Sequence, residues 1–142
     1  MLTIPLFPLN TVLFPEGILP LRIFEPRYLD MVSECLRTNS GFGVCLITEG
    51  TEAGGVADCH EIGTLACIID WHKREDGLLG ITAQGIERFR ILKKHVRPNQ
   101  LLEGNVEFID EDDMEEIPVE YQLMLSLVLS PYNLMHALFH LA

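Results

Sequence analysis

Two long runs rich in β-branched and aromatic residues, Ile62 to Arg74 and Leu78 to Leu92, flank the tripeptide Glu75-Asp76-Gly77. They are the clearest strand signal in the chain, and Asp-Gly between them marks a β-hairpin. In the first strand Leu65, Cys67, Ile69 and Trp71 share a face, so Trp71 is expected in a core. In the second, Leu79, Ile81, Ala83, Phe89 and Ile91 share a face, with Thr82, Gln84, Arg88 and Arg90 opposite. The alternation breaks at Ile86 and Glu87, directly after Gly85. That break predicts a bulge or sharp bend of the kind that curls a sheet into a barrel. Leu102, Val106 and Phe108 line a further strand, so the fold is α+β and mainly β.

The segment before the hairpin is punctuated by prolines. Leu6-Phe7-Pro8 and Leu13-Phe14-Pro15 each read as an extended apolar pair stopped by a proline and followed by a turn, with Asn10 and Gly17 as the turn residues. Leu19, Leu21 and Ile23 alternate with Arg22 as in a half-buried strand, and Pro20 limits that strand to a start or a sheet edge. Glu25-Pro26-Arg27 is a helix start, because a proline at the first helical position loses no hydrogen bond. Leu29, Val32, Cys35 and Leu36 are its expected apolar face, and Asn39-Ser40-Gly41 its stop. Phe42 to Thr48 reads as a buried strand and residues 49–61, EGTEAGGVADCHE, as a Gly-rich mobile loop.

With 48% hydrophobic and 22% charged residues the chain is too apolar for intrinsic disorder, and 142 residues suffice for one main core. The net charge of −11 is local in origin. Residues 1–100 carry 12 acidic against ten basic side chains, whereas residues 101–142 carry nine acidic and none basic. A basic footprint for nucleic acid is therefore missing except at Lys93, Lys94, His95 and Arg97, a stretch that reads as a solvated strand end. Four cysteines without a C-x-x-C pair, behind a start that lacks a secretory leader, point to a cytoplasmic chain with reduced thiols. From Tyr121 to Ala142 no residue carries a formal charge, which raises the question of a membrane span. Gln122, Ser126, Asn133, His136 and His140, with no flanking Lys or Arg, favour a helix pair docked on the barrel or on a second copy.

Motifs for chemistry are sparse. No G-x-x-x-x-G-K-[ST] or G-x-G-x-x-G occurs, and the four serines sit in no nucleophile motif, so neither cofactor nor catalytic residue is expected. Weak metal candidates are His136-x-x-x-His140, two imidazoles on one helical face, and Cys59-His60, which could also act as a thiol dyad with His72 or Cys67 nearby. The corner formed by Arg22, Glu25, Pro26 and Arg27 has two readings. Structurally, Glu25 caps the helix while an arginine pairs with a carboxylate or carbonyl. Functionally, Arg22 or Arg27 with Phe14, Phe24 and Tyr28 forms a surface that grips an exposed peptide, and Trp71 with His72 near the hairpin turn is the other aromatic contact, although the place of Trp71 on the apolar face favours core packing.

PLFPLNTVLFPEGILPLRIFEPRYLDMV, followed by FGVCLI, EIGTLACI and GIERFRI, resembles the N-terminal substrate-recognition domain of Lon-type ATP-dependent proteases and the stand-alone bacterial proteins made of it. The resemblance runs from about residue 2 to about residue 110. It implies a PUA-like curled pseudo-barrel with one early helix, over residues 1–112, followed by a helical tail, over 113–142, shorter than the family's helical region. It also implies a non-catalytic module whose partners are unfolded or degron-bearing polypeptides. A rival reading is an adaptor or oligomerising subunit that docks through the apolar C-terminal helix, and nucleic-acid binding is a weaker one resting on fold analogy.

Overall fold

The computed structural model describes residues 2–49 and 58–110. Six strands and one helix follow one another as β1 (Leu2–Leu9), β2 (Ile18–Ile23), α1 (Pro26–Thr38), β3 (Phe42–Glu49), β4 (Asp58–Lys73), β5 (Leu79–Val96) and β6 (Leu102–Phe108). They form one sheet in the order β2-β5-β4-β3-β1-β6, and pairing of β6 with β5 closes it. The tail, residues 113–142, lies outside the described residues, and with it the helix pair, His136 and His140.

Closure depends on β5 changing partner along its length. Leu79 to Gln84 pair with β2, whereas Phe89 to Val96 pair with β6, and β4 runs beside both halves. Between the halves, Leu65 faces Glu87 but Ala66 faces Gly85, so Ile86 is the extra residue of a bulge. The expected break at Gly85 is therefore present, and it does more than curl the sheet. One extra residue exchanges the two faces of a strand, because side chains alternate with period two. Ile81 and Ala83 consequently join one buried cluster, with Ile23, Phe42, Val44, Ala66 and the helix residues Tyr28, Met31, Val32 and Cys35. Phe89 and Ile91 join another, with Ile4, Leu6, Cys45, Cys59, Leu102 and Val106. The odd-numbered residues expected to share one face thus serve two cores, one beneath α1 and one inside the closed barrel.

A turn holds the bend. Phe14-Pro15-Glu16-Gly17 lies across Gly85, with Glu16 N–H donating to the Gly85 carbonyl at 2.8 Å and Gly85 N–H to the Gly17 carbonyl at 2.9 Å. The Phe14 carbonyl packs so closely on Gly85 that a Cβ there would overlap its oxygen. Thr64 adds a buried hydroxyl bond to the Leu13 carbonyl at 2.6 Å. The second Leu-Phe-Pro is a turn as expected, but the first is not, since β1 runs straight through Pro5 and Pro8. Leu2 to Pro5 pair with β6 and Leu6 to Leu9 with β3, so each proline stands where the strand is registered on one side only and its missing N–H leaves no ladder partner waiting. Pro20 lies on β2, which pairs with β5 alone and is the sheet edge among the described residues.

Three further expectations need correction. The buried face of α1 is Tyr28, Met31, Val32 and Cys35, and Leu29 and Leu36 are exposed, because the sheet meets the helix about one residue further round than the apolar pattern suggested. β4 begins at Asp58, so Cys59 and His60 belong to a strand and not to the loop. Trp71 is 59% exposed. A second bulge, at Ile69 between the pairs Ile68–Ala83 and Asp70–Thr82, shifts Trp71 into register with Ile81 near the end of the hairpin, where the core runs out.

Replacing Gly85 by Ala forces the 14–17 turn off the bend, and an unfolding free energy lower by roughly 2–4 kcal/mol is expected. Urea denaturation measures it. Gly77→Ala, at a residue with φ +84° and open space around it, is expected to lose only about 1 kcal/mol from backbone strain.

Candidate functional site

Five residues were candidates for one peptide-gripping surface, and the fold distributes them over three places. Phe14 belongs to the turn on Gly85, half-buried, with the Arg88 guanidinium 5.6 Å from its ring centroid. Arg22 and Phe24 are both exposed at the end of β2, with the Arg22 guanidinium 5.4 Å from the Phe24 ring centroid. Arg27 and Tyr28 are buried, at 7% and 6% exposure.

Arg27 acts as a tie inside the strand-to-helix corner. Its Nε donates to Glu25 Oε2 at 2.8 Å and its Nη1 to the Gln100 carbonyl at 3.2 Å, joining the start of α1 to the β5–β6 turn. Glu25 makes no side-chain cap on the helix, so the carboxylate's role is to hold the arginine. Tyr28 stacks on Phe7, centroids 4.0 Å apart and planes 7° apart, and also lies beneath the Arg27 guanidinium. Burial, only partly offset by Arg27, pushes its phenol pKa up to about 12, so it stays neutral. Arg97 makes a second tie across the same turn, to Glu34 of α1 at 3.2 Å and to Glu103 of β6.

The basic stretch at the end of β5 is occupied by acids. Lys94 Nζ lies 2.6 Å from Asp58 Oδ1, His95 Nε2 contacts Glu103, and Arg97 contacts Glu103 and Glu34. Of the stretch, Lys93 alone has no acid against it among the described residues, which leaves a single cation for phosphates. For metal chemistry, no three His, Cys, Asp or Glu side chains converge among the described residues. Cys59 and His60 are consecutive in β4, so their side chains leave the strand on opposite faces.

Around Trp71, which the sequence offers as a second aromatic contact but places in the core, lies an apolar shelf whose outline residue patterning does not give. Three registered rows cross β2, β5 and β4: Leu19–Ala83–Ile68, Leu21–Ile81–Trp71 and Ile23–Leu79–Lys73. Partners directly opposite share a face, so these rows form one surface. Ala83, Ile81 and Ile23 are buried in the core beneath α1, whereas Leu19, Leu21, Ile68 and Leu79 only half-cover it and Trp71 stands beyond them. Ile69 beside it is 50% exposed. The other face of the same sheet end carries Arg22 and the His72 imidazole, which lies over Gly80, where any side chain would collide with it. The signal for the shelf was the bulge at Ile69, which no alternation rule places in advance.

Arg27→Leu removes the hydrogen bonds that Arg27 gives to Glu25 and to the Gln100 carbonyl and leaves a buried site without its guanidinium, and a loss of about 2–4 kcal/mol in unfolding free energy is expected. Arg22→Ala is expected to change it by less than about 0.5 kcal/mol. Glu103 supplies a pH test. Burial raises its pKa, but hydrogen bonds from Arg97 and His95 outweigh that and hold it below the ordinary value. The unfolded state therefore takes up the proton first as pH falls. The stability Glu103 adds is complete above the ordinary carboxylate range and is lost as the pH drops below about 4. Glu103→Gln is expected to flatten that part of the stability profile, read by thermal melts from pH 6 downward.

Comparison with known proteins agrees with this architecture. The family described as the ATP-dependent protease La (LON) substrate-binding domain matches residues 3–139. A solved Lon N-terminal domain protein from Xanthomonas campestris is 38% identical, covers 90% of this chain and 72% of its own, and superposes with a TM-score of 0.70. The N-terminal domain of a Mycobacterium avium complex Lon protease, 15% identical with a TM-score of 0.60, shares the fold over 96% of this chain and 73% of its own. Among full proteases, that of Desulfosudis oleivorans is 32% identical over 123 residues, and Lon protease of Anaeromyxobacter dehalogenans 28% over 118. The matched regions cover 83% and 79% of this chain but only 15% and 14% of those proteases. No helix among the described residues is long and apolar enough to cross a membrane. With residues 3–139 matched by one family model and the fold shared with a solved relative at 38% identity, the chain belongs to the Lon substrate-binding domain family.

Proposed function

We propose that this domain is a non-catalytic module that holds unfolded or degron-bearing polypeptide segments on the apolar shelf at the end of the β4–β5 hairpin. The observation that carries the reading is Trp71, a large aromatic 59% exposed beside half-buried Leu21, Ile68 and Leu79. Such a surface is poorly hydrated yet continuous with a packed core, so apolar side chains of an unfolded segment gain by covering it. Arg22 and Phe24, on the opposite face of the sheet end, are proposed as a second contact that a longer segment reaches. Arg27 and Tyr28 support this surface from inside and touch no polypeptide.

Recognition runs through side chains more than through backbone pairing. Among the described residues β2 is the strand edge, but Pro20 at its middle lacks a donor and Arg22 places a charge there, two devices that discourage strand addition. The ion pairs at Lys94, His95 and Arg97 weigh against the nucleic-acid alternative. The adaptor reading, through the apolar tail, rests on residues outside those described.

Trp71 is the single tryptophan and so reports directly on its own surface. Titration with a permanently unfolded, tryptophan-free polypeptide is expected to shift its emission to the blue and to saturate. By calorimetry Trp71→Ala is expected to weaken binding about tenfold or more, and Phe24→Ala less, with melting temperatures unchanged. Unchanged emission together with equal affinity of Trp71→Ala and the parent chain would sink the proposal.

A further inference from the structure

The closed barrel contains two cysteines that neither the family match nor polypeptide binding uses. Cys45 lies on β3 and Cys59 on β4, both buried in the cluster with Leu6, Phe89 and Ile91. Regular pairing onward from Cys45–Gly63 would set Ile47 opposite Glu61, but the observed partner of Ile47 is Cys59. This register shift makes Cys59 a diagonal neighbour of Cys45 on the same face. Both thiols lie in that one buried cluster, and the influence of each on the other's ionisation marks them as near neighbours. Lys94 stands at the same place, its ammonium donating to the Cys59 carbonyl at 3.1 Å and to Asp58 at 2.6 Å.

We propose that Cys45 and Cys59 are an oxidisable thiol pair, closed to a disulfide by a small hydroperoxide, which staples β3 to β4 across the connection between them. The roles of the two sulfurs differ. The Cys45 thiol, helped by Lys94, holds the Cys59 thiol below the ordinary cysteine pKa despite burial, whereas Cys59 and burial push Cys45 well up. Cys59, at the start of β4 with the Lys94 ammonium on its carbonyl, is assigned as the attacking thiolate. Its sulfur takes one peroxide oxygen: the S–O bond forms, the O–O bond breaks, and the departing hydroxide leaves as water with the proton that Cys59 gave up. The resulting sulfenic acid is attacked by Cys45. An S–S bond forms, the S–O bond breaks, and the hydroxyl leaves as a second water with the Cys45 proton. Two thiols and one hydroperoxide become one disulfide and two waters, or one water and an alcohol for an organic hydroperoxide.

Cys59 is the second residue of β4, next to exposed Asp58, and is itself buried, so an oxidant that reaches it has to be small. Diagonal neighbours start about 7–8 Å apart, so closing the disulfide draws β3 and β4 together at their shifted register. The crosslink closes a short loop, so the oxidised protein is expected to melt higher, by roughly 5–15 °C. Cys35, bonded to the Gly41 carbonyl in the core beneath α1, belongs to the other cluster.

The test is to treat the native full chain with hydrogen peroxide, block free thiols under denaturing conditions, and map linked peptides without reduction. A Cys45–Cys59 linkage with a raised melting temperature is expected. Full alkylation of both cysteines after peroxide, or a linkage that instead takes Cys35 or Cys67, would overturn the proposal. Cys45→Ser is expected to leave Cys59 trapped by dimedone as a sulfenic acid, and Cys59→Ser to leave Cys45 unreacted. The reverse pattern would overturn the assigned roles. Should either variant fail to fold, the linkage map of the unaltered chain decides.

Discussion

The structure turns on the contact between the Phe14 carbonyl and Gly85. In this mixed sheet, with β1–β3 parallel and the other pairs antiparallel, β5 has to serve both the β2 edge and the closing partner β6, so it changes partner partway along. β5 does so at a bulge whose backbone is gripped by the turn Phe14–Gly17 through two hydrogen bonds. Without a Cβ, Gly85 lets that turn lie flat against the bend. The bulge then exchanges the faces of β5, and one strand supplies both the core under the helix and the core inside the barrel.

The same constraint explains why the charged corner is internal. Once β5 bends and pairs with β6, the β5–β6 turn is carried against α1. Its exposed carbonyl at Gln100 needs a donor there, and Arg27, oriented by Glu25, supplies it. Arg97 closes the other side of the turn onto Glu34 and Glu103. Arginine suits this position because its planar fork serves a carboxylate and a carbonyl together. The ties hold the helix over one part of the sheet, and the hairpin extends past the covered part. The apolar shelf ending in Trp71 is the surface left over by that geometry.

Much of the fold was legible in the residues. The hairpin turn at Asp76-Gly77, the break at Gly85, the helix beginning at Pro26 and ending at Asn39 in a left-handed conformation, and the strand from Phe42 all follow from local rules. The resemblance of RIFEPRY and GIERFRI to Lon domains also agrees with the family match. The structural reading of Glu25 with Arg27 was available too, as an arginine beside a carboxylate at a helix start. What misled was any argument from alternation carried across a bulge. Trp71 was expected inward because it matched Leu65 in parity, and Phe89 was grouped with Ile81 for the same reason.

Local chemistry along the chain therefore determined where strands, turns and the helix occur, because proline, glycine and alternation act over a few residues and leave a mark in sequence order. Which face each strand turns to a core was decided only in three dimensions. A bulge changes parity by one residue, and its position depends on what packs against it: the turn Phe14–Gly17 at Gly85, the end of the covered sheet at Ile69, and the shifted β3–β4 register that sets Cys59 beside Cys45. Those are contacts between segments far apart in the chain, and no periodicity within either segment encodes them.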